Sequence, residues 1–284
     1  MASLLLARAS IWKKDEKWSI YKNVLEMIIQ TNKSVEGMEL YLKNYFTYSK
    51  IRVHTIDITC GIGDFIKFFM FALTECMKTD TRLYYKMHNL ELENYVKLKC
   101  RQMYVTDLQL KDMVYTAIED TSYYSTFTNN FAVDIKDVFY FSETVLENSR
   151  VLFPYVGEYN SLHIRLGDKH LETNGQYIIN KEDERPFCET KLAEVIGSQT
   201  IPLFLCSDQT TFKKNMVEKY GGDKVWATEC SVAHSGLPNT TKEQVIDAVT
   251  EFYILSNSKQ VYSNAYSGFS SMAAKMNNVL YTVM

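Results

Sequence analysis

Histidine, arginine and aspartate fall within six positions of one short apolar run, His163-Ile164-Arg165-Leu166-Gly167-Asp168, entered from Ser161-Leu162. Side chains alternate across a strand, so His163 and Arg165 share one face while Leu162, Ile164 and Leu166 fill the other. A guanidinium at the carboxyl end of a buried strand stands where open α/β sheets hold their ligands, and it matches a diphosphate with two parallel hydrogen bonds. Gly167 permits a sharp turn or a close approach to the backbone, and Asp168 places an acid beside the arginine. The same residues also suit a plain Arg165–Asp168 ion pair that closes the strand end.

Two further clusters carry the same chemistry. Ser207-Asp208 ends the apolar run Ile201-Pro202-Leu203-Phe204-Leu205-Cys206, which reads as a strand buried on both faces. Ser267-Gly268-Phe269-Ser270-Ser271 opens a last helix at Met272, with small hydroxyl residues and free N–H groups that suit a phosphate without a metal. Asp208, Ser270 and Ser271 serve equally well as helix caps. A glycine turn, Cys60-Gly61-Ile62-Gly63-Asp64, follows a strand predicted over Arg52–Thr59, and its N–H groups can face an anion or a sugar hydroxyl. That turn also resembles the first motif of adenosylmethionine-dependent methyltransferases. The acid which that family places after its second strand is missing, the first candidate being Glu91.

These clusters need elements to hold them. Apolar spacing predicts a helical preface from Trp18 to Phe46, then the strand at Arg52, a helix from Phe65 to Met77 and a strand over Arg82–Met87. Helical patches and tyrosine-rich connections alternate from Glu91 to Arg150, and Val151 to Val156, broken by Pro154, reads as the passage into a second domain. There, strands at Ser161, Ile201, Val225 and Gln260 alternate with helices. Phe212, Met216 and Tyr220 mark one helix. Thr241 and Gln244 form a capping box for another, with Val245, Ala248, Val249, Phe252 and Leu255 as its apolar stripe. The expectation is an α/β protein of two domains, 1–150 and 151–284, the second a doubly wound nucleotide-binding sheet.

Composition sets the limits. Of 284 residues 46% are hydrophobic and 23% charged, the usual balance of a globular chain with enough apolar material for such cores. A net charge of -3 without basic runs argues against a nucleic-acid partner. The 20 tyrosines and 15 phenylalanines are mostly core, with some free to line a groove for a sugar. Six cysteines without metal-site spacing read as free thiols of a reducing compartment, and the N-terminus has neither a signal-peptide core nor a membrane span, so a cytoplasmic protein is expected.

His163-x-Arg165-x-Gly167-Asp168, Leu205-Cys206-Ser207-Asp208, and Asp247 leading into Phe269-Ser270-Ser271-Met272-Ala273-Ala274 resemble, in order, the three motifs of the α1,2-, α1,6- and protein O-fucosyltransferase superfamily. Gly61-Ile62-Gly63-Asp64 is similar to that superfamily's glycine turn, with Asp64 in place of the usual asparagine. The resemblance covers about Ser161 to Asn277. It implies a GT-B glycosyltransferase: two Rossmann-like domains facing a cleft, an N-terminal acceptor side, a C-terminal nucleotide-sugar side, inversion at the anomeric carbon and no metal or other cofactor. It further implies that Arg165 binds the β-phosphate, that His163 and Asp247 lie near the base, that Ser270 and Ser271 meet the phosphates, and that Asp168, Asp208 and Phe269 complete the donor site. Glu172 or Asp64 would be the general base, and a glycan hydroxyl the acceptor. Leu166 replaces a second arginine common in the motif, which leaves GDP-fucose and a UDP-sugar such as UDP-xylose both open. Similar small glycosyltransferases of large algal viruses use the latter. A silent nucleotide-sugar-binding module is the other reading that keeps this fold.

Overall fold

A computed structural model describes residues 33–55, 61–88, 90–119, 130–166, 183–221, 223–230 and 240–284. Residues 33–44 form helix α1, the described end of the predicted preface. The hydroxyls of Tyr41, on α1, and of Tyr45, just beyond it, donate to the carbonyls of Thr81 and Leu83, fastening the preface to the first sheet. That sheet holds β1 (Lys50–Thr55), β2 (Thr81–Lys86), β4 (Tyr104–Val105) and β5 (Thr116–Glu119), in the order β4-β2-β1-β5, all parallel. Between β1 and β2 runs α2 (Ile62–Lys78), beginning three residues before the predicted Phe65. Ile66, Phe68, Phe69, Met70 and Leu73 are all buried, so α2 is apolar around most of its circumference and has to be enclosed by protein.

The middle of the chain is more broken than predicted. It runs α3 (Glu91–Tyr95), β3 (Val96–Leu98), β4, α4 (Asp107–Leu110), β5, α5 (Ile135–Val138), β6 (Phe139–Phe141) and α6 (Glu143–Leu152), with β3 and β6 paired antiparallel. Strands of two to four residues are too short to carry a period-two signal, which is why sequence reading passes over them.

The second sheet comprises β7 (Asn160–Ile164), β8 (Leu203–Ser207), β9 (Val225–Trp226), β10 (Gln260–Ser263) and β11 (Leu280–Val283), in the order β11-β10-β7-β8-β9, again all parallel. Ranked along the chain this is 5-4-1-2-3, the doubly wound order, with its reversal between β7 and β10. Helices α7 (Arg185–Ser198) and α8 (Thr210–Tyr220) cover one face, where Leu192, Phe212 and Met216 pack on Leu162, Ile164 and Leu205. Helices α9 (Lys242–Ser256) and α10 (Gly268–Met276) cover the other. Strand β11 and helix α7 are additions to the sequence reading. The last helix starts at Gly268, not Met272, so its serines lie inside the first turn.

The α9–α10 layer is shared with the first sheet. Phe141 meets Phe252 and Tyr253, Asn148 donates to Thr250, and one continuous core runs from Phe65 and Phe69 through Phe139 to Phe252 and Met272. At its rim the first turns of α2 and α10 touch through bare main chain. A Cβ on Gly63 would stand 2.4 Å from the carbonyl carbon and oxygen of Gly268 and 2.6 Å from the nitrogen of Phe269. Backbone cannot yield as a flexible side chain can, so Gly63→Ala is expected to cost about 1–3 kcal/mol. Gly197→Ala, where a new Cβ meets nothing within 4 Å, is expected to be neutral or stabilising by comparison. Urea denaturation of the two variants checks this, and equal midpoints would show that the junction tolerates a methyl group.

Candidate functional site

In a doubly wound sheet the crevice lies outside the carboxyl ends of the strands at the reversal, here beyond β7 and β10. Asn264, directly after β10, binds the chain leaving β7 on both sides of one residue: Arg165 N donates to Asn264 Oδ1 (2.9 Å) and Asn264 Nδ2 donates to Arg165 O (3.1 Å). Leu166 N donates to Asp208 Oδ1 at 3.0 Å, tying the end of β8 to the same loop. The N-cap of α8 is therefore Gln209 and not Asp208, whose carboxylate bridges two strand ends. Arg165 itself is exposed. Its backbone is pinned at the sheet edge while the residue stays open to solvent.

His163 differs from its neighbour. All of β7 is buried, so its two faces are both interior, and the predicted basic pair resolves into one cation and one neutral imidazole. Burial, helped by the charge of Arg165, pulls the His163 pKa from 6.5 down to about 3. Its Nδ1 lies 3.1 Å from Ser270 Oγ and its ring packs at 36° against Phe269, centroids 5.3 Å apart. Between pH 6.5 and about 3 the unfolded chain binds a proton that the folded chain excludes, so stability falls as pH drops through this window. The slope attributable to His163 is expected to reach about 1.4 kcal/mol per pH unit. Urea denaturation between pH 7 and 5, above most carboxylate titrations, should show it in the native protein and lose it in His163→Gln.

The start of α10 completes the edge. Ser270 is fully buried, hydrogen bonded to His163 and 3.2 Å from Tyr281 on β11, and Ser271 Oγ points back to Gly268 O. Tyr281 also accepts the Ser267 N–H at 3.4 Å and donates to Ala265 O. The serine hydroxyls thus shape the turn from below, and what the turn offers outward is the set of N–H groups that every helix leaves without intrahelical partners. Sequence reading missed Asn264 and Tyr281. The asparagine pair Asn277-Asn278, the latter in the left-handed region at φ 56, followed by an apolar run, was a usable signal for β11.

From the opposing sheet, α2 brings its own N-terminus to the same place. Gly61 is the N-cap, Gly63 touches Gly268, and Asp64 lies in the first turn, 3.4 Å from Lys67 Nζ. Two helix starts, each carrying partial positive charge, therefore meet at Gly63 and Gly268, and the second packs on His163, two residues before Arg165. Gly167, Asp168 and Glu172 lie outside the described residues. Asp247, half-buried on α9, faces Cys230 in the loop after β9. There burial, eased by Thr228 and reinforced by the Asp247 and Glu251 carboxylates, pushes the Cys230 thiol up to about 12.

Beneath this edge a buried cluster braces α8, α9 and that loop. Lys213 Nζ lies 2.7 Å from Glu251 Oε1 and also donates to Thr228 Oγ1 and Cys230 O, while Cys206 Sγ donates to Glu251 Oε2. Burial alone would lower the Lys213 pKa, but the facing Glu251 carboxylate leaves it raised. The cysteines of this region, with Cys76, are free thiols. Among the described residues no three His, Cys, Asp or Glu side chains gather closely enough to hold a metal ion, and no helix is long and apolar enough to cross a membrane.

No family sequence model matches the chain, and no curated protein matches it in sequence. Solved structures match it in shape. NodZ alpha-1,6-fucosyltransferase, a Bradyrhizobium protein, co-crystallized with GDP aligns with a TM-score of 0.56 and 10% identity over 79% of this chain and 92% of that one. The same enzyme soaked with GDP-fucose gives 0.54 and 11% over 80% and 93%. A mutant of Arabidopsis thaliana FUT1 in complex with GDP gives 0.52 and 10% over 95% and 79%. The likeness is one of fold.

Proposed function

We propose, for a chain built on the GT-B fold of these fucosyltransferases, that it is a nucleotide-sugar-dependent glycosyltransferase that inverts the anomeric centre and needs no metal. The observation that carries this reading is the meeting of two helix N-termini, at Gly63 and Gly268, the second packed through Phe269 and Ser270 on His163, two residues before the exposed cation Arg165. A departing nucleoside diphosphate needs positive charge fixed in advance, and a guanidinium with helix-start N–H groups supplies it from the protein alone. The acceptor hydroxyl oxygen attacks the anomeric carbon from the face opposite the diphosphate. The bond from that carbon to the diphosphate oxygen breaks, its electron pair leaves with the diphosphate, and the hydroxyl proton passes to a carboxylate. We assign that carboxylate to Asp64, which stands at the junction of the two sheets.

In this reading residues 1–150 form the acceptor side and 151–284 the donor side. GDP-fucose is the first donor to test, because NodZ crystals have been soaked with it, and a glycan hydroxyl is the acceptor class. The methyltransferase alternative lacks its ribose carboxylate. Glu93, the buried acid after β2, already accepts from Tyr85 OH, His88 N and Leu90 N. The test is a panel of GDP- and UDP-sugars with EDTA present, read by donor hydrolysis and by thermal shift. One donor should respond in both. A response in thermal shift alone, with no turnover on any acceptor, would favour a binding module, and no response to any nucleotide would end the proposal.

A further inference from the structure

One carboxylate stands inside the meeting of helix starts. Asp64 Oδ1 lies 3.2 Å from where a Cβ on Gly268 would be, and the same oxygen lies 3.4 Å from Lys67 Nζ. Asp64 is on α2 and Gly268 opens α10, so the first sheet supplies an anion beside the N-terminus of a helix in the second. Its partner Lys67 is well packed, with a side chain 12% exposed against 31% for Asp64, and its ammonium lies 5.3 Å from the centre of the Phe68 ring. The receiving end is incomplete in a second respect. Ser267, the N-cap of α10, is 1% exposed, and its hydroxyl makes no capping bond and has no hydrogen-bond partner among the described residues. A serine at this position ordinarily satisfies a first-turn N–H. Here the hydroxyl caps nothing and stays without a partner among the described residues.

Resting on the glycosyltransferase reading, we propose that Asp64 and Lys67 form a donor-responsive pair: a diphosphate arriving at the start of α10 repels Asp64 and takes Lys67 as its second cation, after Arg165. The physical argument is charge economy over a few ångströms. A helix start that already faces a carboxylate has part of its positive potential neutralised, and a diphosphate brings more negative charge to the same place. An ammonium placed between the Asp64 carboxylate and a diphosphate, which carries more charge and more acceptor oxygens, makes the stronger charge-assisted bonds to the latter. The exchange leaves Asp64 without its cation at the acceptor side, the state in which a carboxylate can take the proton of an incoming hydroxyl. Donor binding thereby readies the base, and the base stays neutralised while no donor is present. An ordinary helix-surface pair three residues apart would do none of this and would matter little to any ligand.

Calorimetric binding of GDP and UDP to the native protein, Asp64→Asn, Lys67→Met and the double variant separates these cases. For whichever nucleotide binds, Asp64→Asn is expected to bind about three- to tenfold tighter and Lys67→Met about tenfold weaker. The decisive comparison is within the Asp64→Asn background, where Lys67→Met should still weaken binding, because the ammonium contacts the diphosphate and does not merely screen Asp64. The corresponding nucleoside, which has no phosphates, should be insensitive to both changes. Thermal melts confirm that each variant is folded, and Lys67→Arg should recover most of the affinity. A Lys67→Met effect that vanishes once Asp64 is neutral would overturn the proposal, as would equal affinities in all four proteins. Absence of any nucleoside diphosphate binding by the native protein would overturn the functional reading, and this proposal with it.

Discussion

Arg165→Ala is expected to fold as the native protein does and to transfer sugar about 10²–10³-fold more slowly, a loss of roughly 2.7–4 kcal/mol of transition-state stabilisation. Both halves of the expectation follow from the same geometry. The residue is held through its backbone, by Asn264 on either side, while its side chain is exposed. Truncation beyond Cβ therefore removes a charge without opening a cavity. The charge matters most as the diphosphate leaves, so the loss should appear in kcat at saturating donor as well as in donor affinity. Arg165→Lys should recover only part, since an ammonium cannot make the two parallel bonds of a guanidinium. Steady-state kinetics beside a thermal melt decides it: activity within a few-fold of native would remove Arg165 from the chemistry.

The second large effect is on stability. Lys213→Met strands the fully buried carboxylate of Glu251, and breaking one side of such a pair is expected to cost about 3–5 kcal/mol. Replacing both partners, Lys213→Met with Glu251→Leu, should recover much of that loss, because no unpaired charge is left behind. Thr228 and Cys206, which both donate to Glu251, would still lose their acceptor, so recovery should be incomplete. Urea denaturation of the single and double variants is the measurement. A double variant no more stable than the single would mean that the ion pair is not the source of the effect.

Much of the second sheet could be read from residue pattern. The apolar run that became β8, the Thr241–Gln244 capping box of α9 and the strand carrying His163 and Arg165 each rest on local rules, and local rules are what a sequence displays. Helix α7 was readable too, since Cys188, Leu192 and Val195 recur at helical spacing, but exposed Phe187 beside them blurs the stripe. The parts that escaped act across the chain. Asn264 matters because β10 lies next to β7, and Tyr281 because β11 slides beneath α10. Lys67 matters because α2 meets α10. None of these pairings leaves a periodic trace. His163 shows the opposite limit: alternation assigned its face correctly, but only the burial of both faces of β7 decides that it carries no charge.

The bare main-chain contact at Gly63 and Gly268 has a consequence for how such a protein can diversify. With no side chains at the pivot, the spacing between the two halves is set by the thickness of the polypeptide itself, and substitutions elsewhere cannot easily retune it. On the proposed function, new acceptor preferences would then come from exchanging the loops at the rim of the first sheet. Chimeras that swap those loops and leave both glycines in place are the ones that should keep their donor chemistry.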